Sequence, residues 1–407
     1  MATLFLALFL GNGVVAFQPS FLAPRLSVSR HATPSMKTTA PVFDEVCETT
    51  GVTLTRFMIE VASLNPELAE LPSLFSGIET ACKAISSMVK RSQLTGTVGY
   101  MDSGDINIQG EEQKKLDVMT NEVLKSALRF TGRMGVIASE EEDVPVDVKG
   151  IDVSKDIMFD ETAKYTAVFD PLDGSSNVDA GIPTGTIFGI FEHDDECEVD
   201  ASDSLSTQEL KCLTNTLKAG TSLVSSGYCL YSSSCFFVVT FGSGVYGFTL
   251  DENIGEFVLT HPKIMMPVES KIYSFNEANL PQWDEPMRET VEKWREGKGK
   301  SGNSFSSRYI GSMVGDVHRT LLYGGVFGYP SDKKNVNGKL RLLYEGAPMS
   351  FLIEQAGGMS STGRNRVMEI FPDQVHIRVP IIMGSKNDVQ EVVDAYTAWN
   401  GVSAANY

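Results

Sequence analysis

The strongest constraint on what this 407-residue chain can fold into lies at residues 165–176, where the run YTAVF meets DPLDGSS. An unbroken series of apolar, β-branched and aromatic residues reads as a buried strand, so Asp170 sits where that strand is expected to end. Pro171 then blocks further pairing, and Gly174 lets the backbone turn back on itself. Two aspartates three residues apart across such a turn can bind neighbouring metal ions. The amide and hydroxyl groups of Gly174, Ser175 and Ser176 can hold a phosphate. Taken alone, the same string also reads as an Asp/Pro/Gly surface turn.

With 42% hydrophobic residues the chain can bury a large core, and its length suits two or three domains. A formal charge of −18, without a basic stripe interleaved with aromatics, argues against a nucleic-acid partner. An anionic ligand must therefore be met by local cations or by metal. The first 36 residues differ in kind: LFLALFLGNGVVA is too short to span a bilayer and ends in a cleavage-like Val14, Val15, Ala16. Residues 17–36 carry Arg25 and Arg30 among Ser, Thr and Pro, with no acidic residue, as organelle transit peptides do. The pair resembles the two-part address of plastid proteins in algae with secondary plastids, which places the mature protein in the plastid stroma; plain secretion is the alternative. No other stretch has the length and apolarity of a membrane helix. The six cysteines, Cys47, Cys82, Cys197, Cys212, Cys229 and Cys235, have neither zinc-site spacing nor the density of a disulfide scaffold.

Helical periodicity marks residues 54–63, 77–91 and 114–130. The second of these segments puts Ile78, Ala81, Cys82, Ile85, Met88 and Val89 on one face; the third is expected to bury Leu116, Met119, Val123, Leu124 and Ala127. Strands are expected at 134–139, delivering Glu140, Glu141 and Glu142, and at 165–169, 186–191, 235–241 and 245–250. Residues 192–209 hold eight acidic side chains and read as an exposed loop. A weaker boundary near 261–270 precedes a strand (271–276), a helix (285–295) and a Gly/Ser-rich linker (296–307). Glu345 opens a helix stopped by Gly357 and Gly358, and a strand (379–385) and helix (388–399) complete a mixed α/β chain.

Three acidic groups suit a hard cation bound through oxygen: Glu140 with Glu141, Asp170 with Asp173, and Glu345. Each alone reads equally as solvated surface. Acidic residues placed directly after buried strands, however, gather at the carboxyl edge of a sheet, where α/β folds bind ligands, and without a metal they would repel one another. A cationic and aromatic group comprises Arg308, Tyr309, Tyr329, Lys339 and Arg341. Guanidinium, ammonium and phenol groups together suit a second, non-reacting phosphate.

Over residues 50–400 the sequence resembles the fructose-1,6-bisphosphatase family, through LTRFMIE, KAISS, KKLDV, SEEE, VFDPLDGSSN, GTIFGI, KIYSFNE, RYIGSMVGDVHRTLLYGG and NGKLRLLYE. The resemblance implies a layered α/β/α/β/α sugar-phosphatase fold of two halves: a targeting segment at 1–36, a metal and phosphatase domain at 45–262 with an acidic redox loop at 192–218, and a substrate-binding domain at 263–401. It makes Glu140, Asp170, Asp173, Glu345 and the Leu172 carbonyl ligands of two to three Mg2+ per subunit. The 1-phosphate would meet Asp173, Gly174, Ser175 and Ser176. The 6-phosphate and sugar would meet Asn276, Tyr309, Tyr329, Lys339 and Arg341, with Arg308 reaching across an interface of a homotetramer. Asp117 and Glu141 would activate the attacking water, and Glu111 stands where the family usually has an aspartate. The implied activity is magnesium-dependent hydrolysis of fructose 1,6-bisphosphate. Alternatives are the same chemistry on sedoheptulose 1,7-bisphosphate, or a non-catalytic redox-sensitive binding protein.

The acidic loop resembles that of chloroplast forms, implying a thioredoxin-reducible pair of Cys197 and Cys212, although Leu217 stands where a third loop cysteine would be. Of the nucleotide inhibitory site of animal relatives, Lys164 and Tyr165 match. Glu192 replaces an arginine, Leu68 and Pro72 replace phosphate-binding threonines, and Asn279 replaces a tyrosine of the 6-phosphate pocket. Little inhibition by AMP is therefore expected.

Overall fold

The computed structural model describes residues 38–42, 51–99, 114–142, 145–147, 164–194 and 205–399. Three helices come first: α1 (Leu54–Leu64), α2 (Leu71–Thr95) and α3 (Lys115–Phe130). Thr53 starts α1, its hydroxyl accepting from the Arg56 amide at 3.2 Å. An eight-stranded sheet follows: β1 (Met134–Ser139), β2 (Val146–Asp147), β3 (Tyr165–Asp173), β4 (Thr184–Glu192), β5 (Leu223–Tyr231), β6 (Cys235–Thr240), β7 (Val245–Asp251) and β8 (Glu256–Ile264), in the spatial order β2-β1-β3-β4-β5-β6-β7-β8. Helix α4 (Leu205–Thr216) lies between β4 and β5 in the chain. The second sheet contains β9 (Ile272–Ser274), β10 (Ser306–Ser307), β11 (Val326–Tyr329), β12 (Met359–Ser361) and β13 (Ile381–Gly384), ordered β10-β9-β11-β13-β12. With it come α5 (Glu285–Glu296), α6 (Met313–Tyr323), α7 (Ala347–Gln355) and α8 (Lys386–Ala398).

Why YTAVF is apolar throughout is visible in β3. Ala167 and Phe169 face a core shared with α1, α2 and α3, whereas Val168 faces the opposite core, shared with α6, α7 and the second sheet. Alternation sends successive side chains to opposite faces, and a strand covered on both faces has no polar side to show. The far face of the second sheet packs on α5 and α8, where Trp294 stacks on Phe305 with ring centroids 5.1 Å apart. Helices, sheet, helices, sheet and helices thus form the five layers of the expected α/β/α/β/α fold. The central core draws on both sheets, so the halves on either side of residue 262 are packed together.

Several local expectations fail for identifiable reasons. Strand β3 continues through Pro171 to Asp173, because a bulge accommodates the proline. Met119 is 41% exposed on α3, since the packed face of that helix is narrower than its apolar stripe. Residues 205–209, assigned to the acidic loop, belong to α4. Within the 261–270 segment β8 runs on to Ile264 and carries Pro262, and the chain enters the second sheet at Ile272; β8 is an edge strand, where proline costs no ladder hydrogen bond.

Candidate active site

Strands β1 and β3 run parallel, with Ser139 opposite Phe169, so β1 ends where β3 reaches Asp170, and the Glu140 amide donates to the Phe169 carbonyl at 3.1 Å. Two residues three apart in a regular strand would point to opposite faces. Here Asp170 pairs with Ile187 and Asp173 with Gly185: β3 spends three steps where β4 spends two. That single extra residue is a bulge, and it restores both aspartates to one side. The Leu172 amide donates to Asp170 Oδ1 at 2.9 Å, and the Thr186 hydroxyl donates to the Pro171 carbonyl at 2.8 Å, which fixes the distortion. Gly174 follows at φ +75°, a left-handed conformation that glycine adopts without a Cβ penalty.

Glu345 arrives from the other half. It lies in a single π-helical turn, Leu342–Gly346, immediately before α7, the kind of helical irregularity that recurs at functional sites. Oxygens of Asp170, Asp173 and Glu345 all come within 4.8 Å of one another. Glu140 adjoins them, its Oε1 3.2 Å from Arg341 Nη1. Burial pushes the Glu140, Asp173 and Glu345 carboxyls up to about 7. Asp170 is raised well above its ordinary range, first by burial and then by Glu140, Asp173 and Glu345. An all-oxygen, buried, mutually repelling set of carboxylates fits a hard divalent cation, whose charge would offset both costs.

These residues line a cleft of about 360 Å³ together with Asp117, Glu141, Leu172, Gly174, Ser175, Ser176, Tyr329, Lys339 and Arg341. The Asp117 carboxylate accepts from the Lys114 amide at 3.0 Å at the start of α3, so it has a helix-capping task as well as a place in the cleft. The Tyr309 and Tyr329 hydroxyls hydrogen-bond to each other, and the Lys339 ammonium stands 5.7 Å from the Tyr329 ring centroid. Arg308 is exposed and outside the cleft lining, its Nη1 donating to the Ser307 carbonyl. Asn276 is also outside the lining and caps a short helical turn by accepting from the Ala278 amide at 3.2 Å. Glu111 and Cys197 lie outside the described residues; Cys212 is buried on α4.

Sequence reasoning passed over three supports. Lys114 reaches Asp179 Oδ2 at 3.0 Å and the Ser175 carbonyl at 3.4 Å, tying KKLD to DPLDGSS. The Val314 amide, in the first turn of α6, donates to Asp173 Oδ2 at 3.1 Å, a charge-favourable helix start. Fully buried Asp316 accepts from the Ile310 and Gly311 amides and pairs with Arg319 at 2.7 Å, which shapes the loop carrying Tyr309. Of this network the sequence shows only the spacing of Asp316 and Arg319, three residues apart on one helix face.

Comparison with known proteins agrees with this geometry. The family model described as fructose-1-6-bisphosphatase, N-terminal domain, matches residues 52–262, and the corresponding C-terminal domain model matches 266–397. The chain is 48% identical over 379 residues to chloroplastic fructose-1,6-bisphosphatase of Spinacia oleracea, covering 90% of this chain and 88% of that protein. It is 50% identical over 341 residues to the Triticum aestivum counterpart, covering 84% and 80%. The crystal structure of Leishmania major fructose-1,6-bisphosphatase in holo form superposes with a TM-score of 0.76 at 38% identity, covering 86% of this chain and 99% of that one. With both domain models matched in order around a cleft built from the two halves, the chain belongs to the fructose-1,6-bisphosphatase family.

Proposed function

We propose that the protein removes the 1-phosphate of fructose 1,6-bisphosphate in a plastid, giving fructose 6-phosphate and phosphate. The observation that carries this reading is the bulged DPLDG turn, which sets two aspartates and Glu345 beside a left-handed glycine. Magnesium ions, two to three per subunit, held by Glu140, Asp170, Asp173, Glu345 and the Leu172 carbonyl, would lower the pKa of water and offset phosphate charge. Gly174, Ser175 and Ser176 hold the reacting phosphate through amides and hydroxyls. Asp117 and Glu141, with Glu111, take the proton from the attacking water. Tyr309, Tyr329, Lys339, Arg341 and Asn276 orient the sugar and its 6-phosphate, and Arg308, exposed on one subunit, completes the site of a neighbour in a homotetramer.

The same reading extends to regulation and address. Thioredoxin reduces a Cys197–Cys212 disulfide in the acidic loop, and the composition of residues 1–36 suits delivery to the stroma of a secondary plastid. The proposed division into residues 45–262 and 263–401 falls close to the passage from the first sheet, whose β8 ends at Ile264, to the second, whose β9 begins at Ile272. Among the described residues no helix is long and apolar enough to cross a membrane. The test is phosphate release from fructose 1,6-bisphosphate and sedoheptulose 1,7-bisphosphate, with and without magnesium. Magnesium-dependent release from the fructose ester is expected; release from the sedoheptulose ester alone would overturn the substrate, and none from either the activity. Loss of a dithiothreitol response in Cys197→Ser, with a response in the parent, tests the loop pair.

A further inference from the structure

A second group of nucleophilic side chains lies away from the cleft. Cys229 on β5 and Cys235 on β6 place their sulfurs 3.5 Å apart, and Cys82 of α2 faces Cys229 within the same core. All three are free thiols and no more than 2% exposed. Cys229 stands opposite Phe237, and Cys235 opposite Tyr231, so the two close thiols are diagonal neighbours on one face of the hairpin. Diagonal Cα atoms sit about 7–8 Å apart, at the outer limit of about 7 Å for a disulfide. Joining them therefore draws the hairpin backbone inward, and a bond formed that way is readily reduced.

The two thiols are chemically unequal. Cys235 is held below its ordinary value, chiefly by the hydrogen bond with Cys229 and against burial, with Ser86 and Lys90 helping; burial pushes Cys229 well up. Ser86 and Lys90 also line a surface cavity of about 300 Å³ between α2 and the β7–β8 turn, so Cys235 sits one side chain behind its wall. Tyr231, paired with Cys235, carries the consequence. Its hydroxyl is 2.7 Å from Thr186 Oγ1, the same hydroxyl that holds the Pro171 carbonyl inside the bulge.

We propose that Cys229 and Cys235 form a peroxide-oxidisable dithiol whose disulfide shifts the β5–β6 hairpin and, through Tyr231 and Thr186, the bulged turn of the active site. The Cys235 thiolate attacks one oxygen of hydrogen peroxide, breaking the O–O bond to leave a sulfenic acid and hydroxide. The Cys229 sulfur then attacks that sulfur; the S–S bond forms, and the departing hydroxyl takes the Cys229 proton and leaves as water. Two electrons pass from the thiols to peroxide, and an added dithiol returns them.

The experiment uses the full chain in a Cys197→Ser background, so that the acidic loop plays no part. Protein is treated with hydrogen peroxide, alkylated, digested with chymotrypsin, which cuts after Tyr231, and mapped by mass spectrometry. The fragments carrying Cys229 and Cys235 are expected to remain joined and two hydrogens lighter. Phosphate release is expected to fall roughly tenfold, a coupling of ordinary size, and to return with dithiothreitol. Cys235→Val, or Cys229→Ala should that variant not fold, should lose no activity under peroxide. Alkylation of both thiols after treatment, or a bond to Cys82 instead, overturns the dithiol. A mapped Cys229–Cys235 bond with unchanged phosphate release overturns the coupling. The activity arm rests on the hydrolase reading, whereas the mapping arm does not. Failure of that reading would show separately, as no release from untreated protein.

Discussion

Replacing Asp117 by asparagine and by alanine separates two tasks that fall on one carboxylate. Asp117 accepts the Lys114 amide at the start of α3 and faces the cleft beside Glu141. Asparagine keeps an oxygen where the amide needs it but cannot take a proton. Alanine removes both the acceptor and the base. Loss of a general base lowers turnover by about 10²–10⁴, or roughly 3–5 kcal/mol in the barrier. Asparagine forfeits only the charge at a helix start, below about 1 kcal/mol; alanine also forfeits the cap and orphans a buried amide, about 1–3 kcal/mol in all. The expected outcome is an asparagine variant with kcat down at least a hundredfold, KM near that of the parent, and a urea midpoint barely moved. Alanine should match it in kcat and unfold at clearly lower urea. Steady-state phosphate release at saturating magnesium and urea titration in chelator measure the two separately. A folded asparagine variant with kcat within about threefold of wild type would refute Asp117 as the base.

Three other outcomes are expected. Gly174→Ala puts a side chain at φ +75°, with its Cβ 3.3 Å from Asn177 Nδ2; it should cost about 1–2 kcal/mol and raise KM, and an unchanged KM would detach that turn from phosphate binding. In metal-free protein, Glu140 and Glu345 titrate near 7 instead of 4.5, so the stability they contribute is full below about pH 4 and is lost as pH rises through about 7. The magnesium-dependent gain in thermal midpoint should therefore grow from pH 5.5 to 8, and a constant gain would sink the account. AMP at micromolar concentration should leave activity unaltered: Lys164 and Arg133 are already paired with Glu70, at 2.7 and 3.3 Å, and Leu68 is buried. Half-inhibition in that range would show that the pairing yields to nucleotide phosphate.

The parts legible in sequence were those written in short-range pattern. The unbroken apolar runs of MGVIAS and YTAVF, the apolar face of α2 and the glycine of the turn all act within a few residues, and the acidic residues at strand ends followed from them. What stayed hidden depends on partners far along the chain. The helix start at Val314 that receives Asp173 and the Arg341–Glu140 pair each join residues that only tertiary packing brings together. Cys235 carries no signal of its proximity to Cys229 unless the tight turn between β5 and β6 and its register are known. Pro171 misled because a proline ends regular pairing, and the bulge that hosts it is not regular.

That bulge makes the active site a matter of counting. Side-chain direction along a strand has a parity, and the one surplus residue of β3 flips it between Asp170 and Asp173. Deleting a single residue from Pro171–Leu172 would leave the aspartates two apart on one face of an even ladder, but it would abolish the bulge, and with it the Leu172 amide's bond to Asp170 and the Thr186 hydroxyl's hold on the Pro171 carbonyl. Exchanging either residue for another keeps the surplus residue, and the backbone amide and carbonyl that hold the bulge remain. Chain length, more than residue identity, is what this short segment must preserve, and an engineered sugar phosphatase of this architecture can be redesigned there by substitution but not by insertion or deletion.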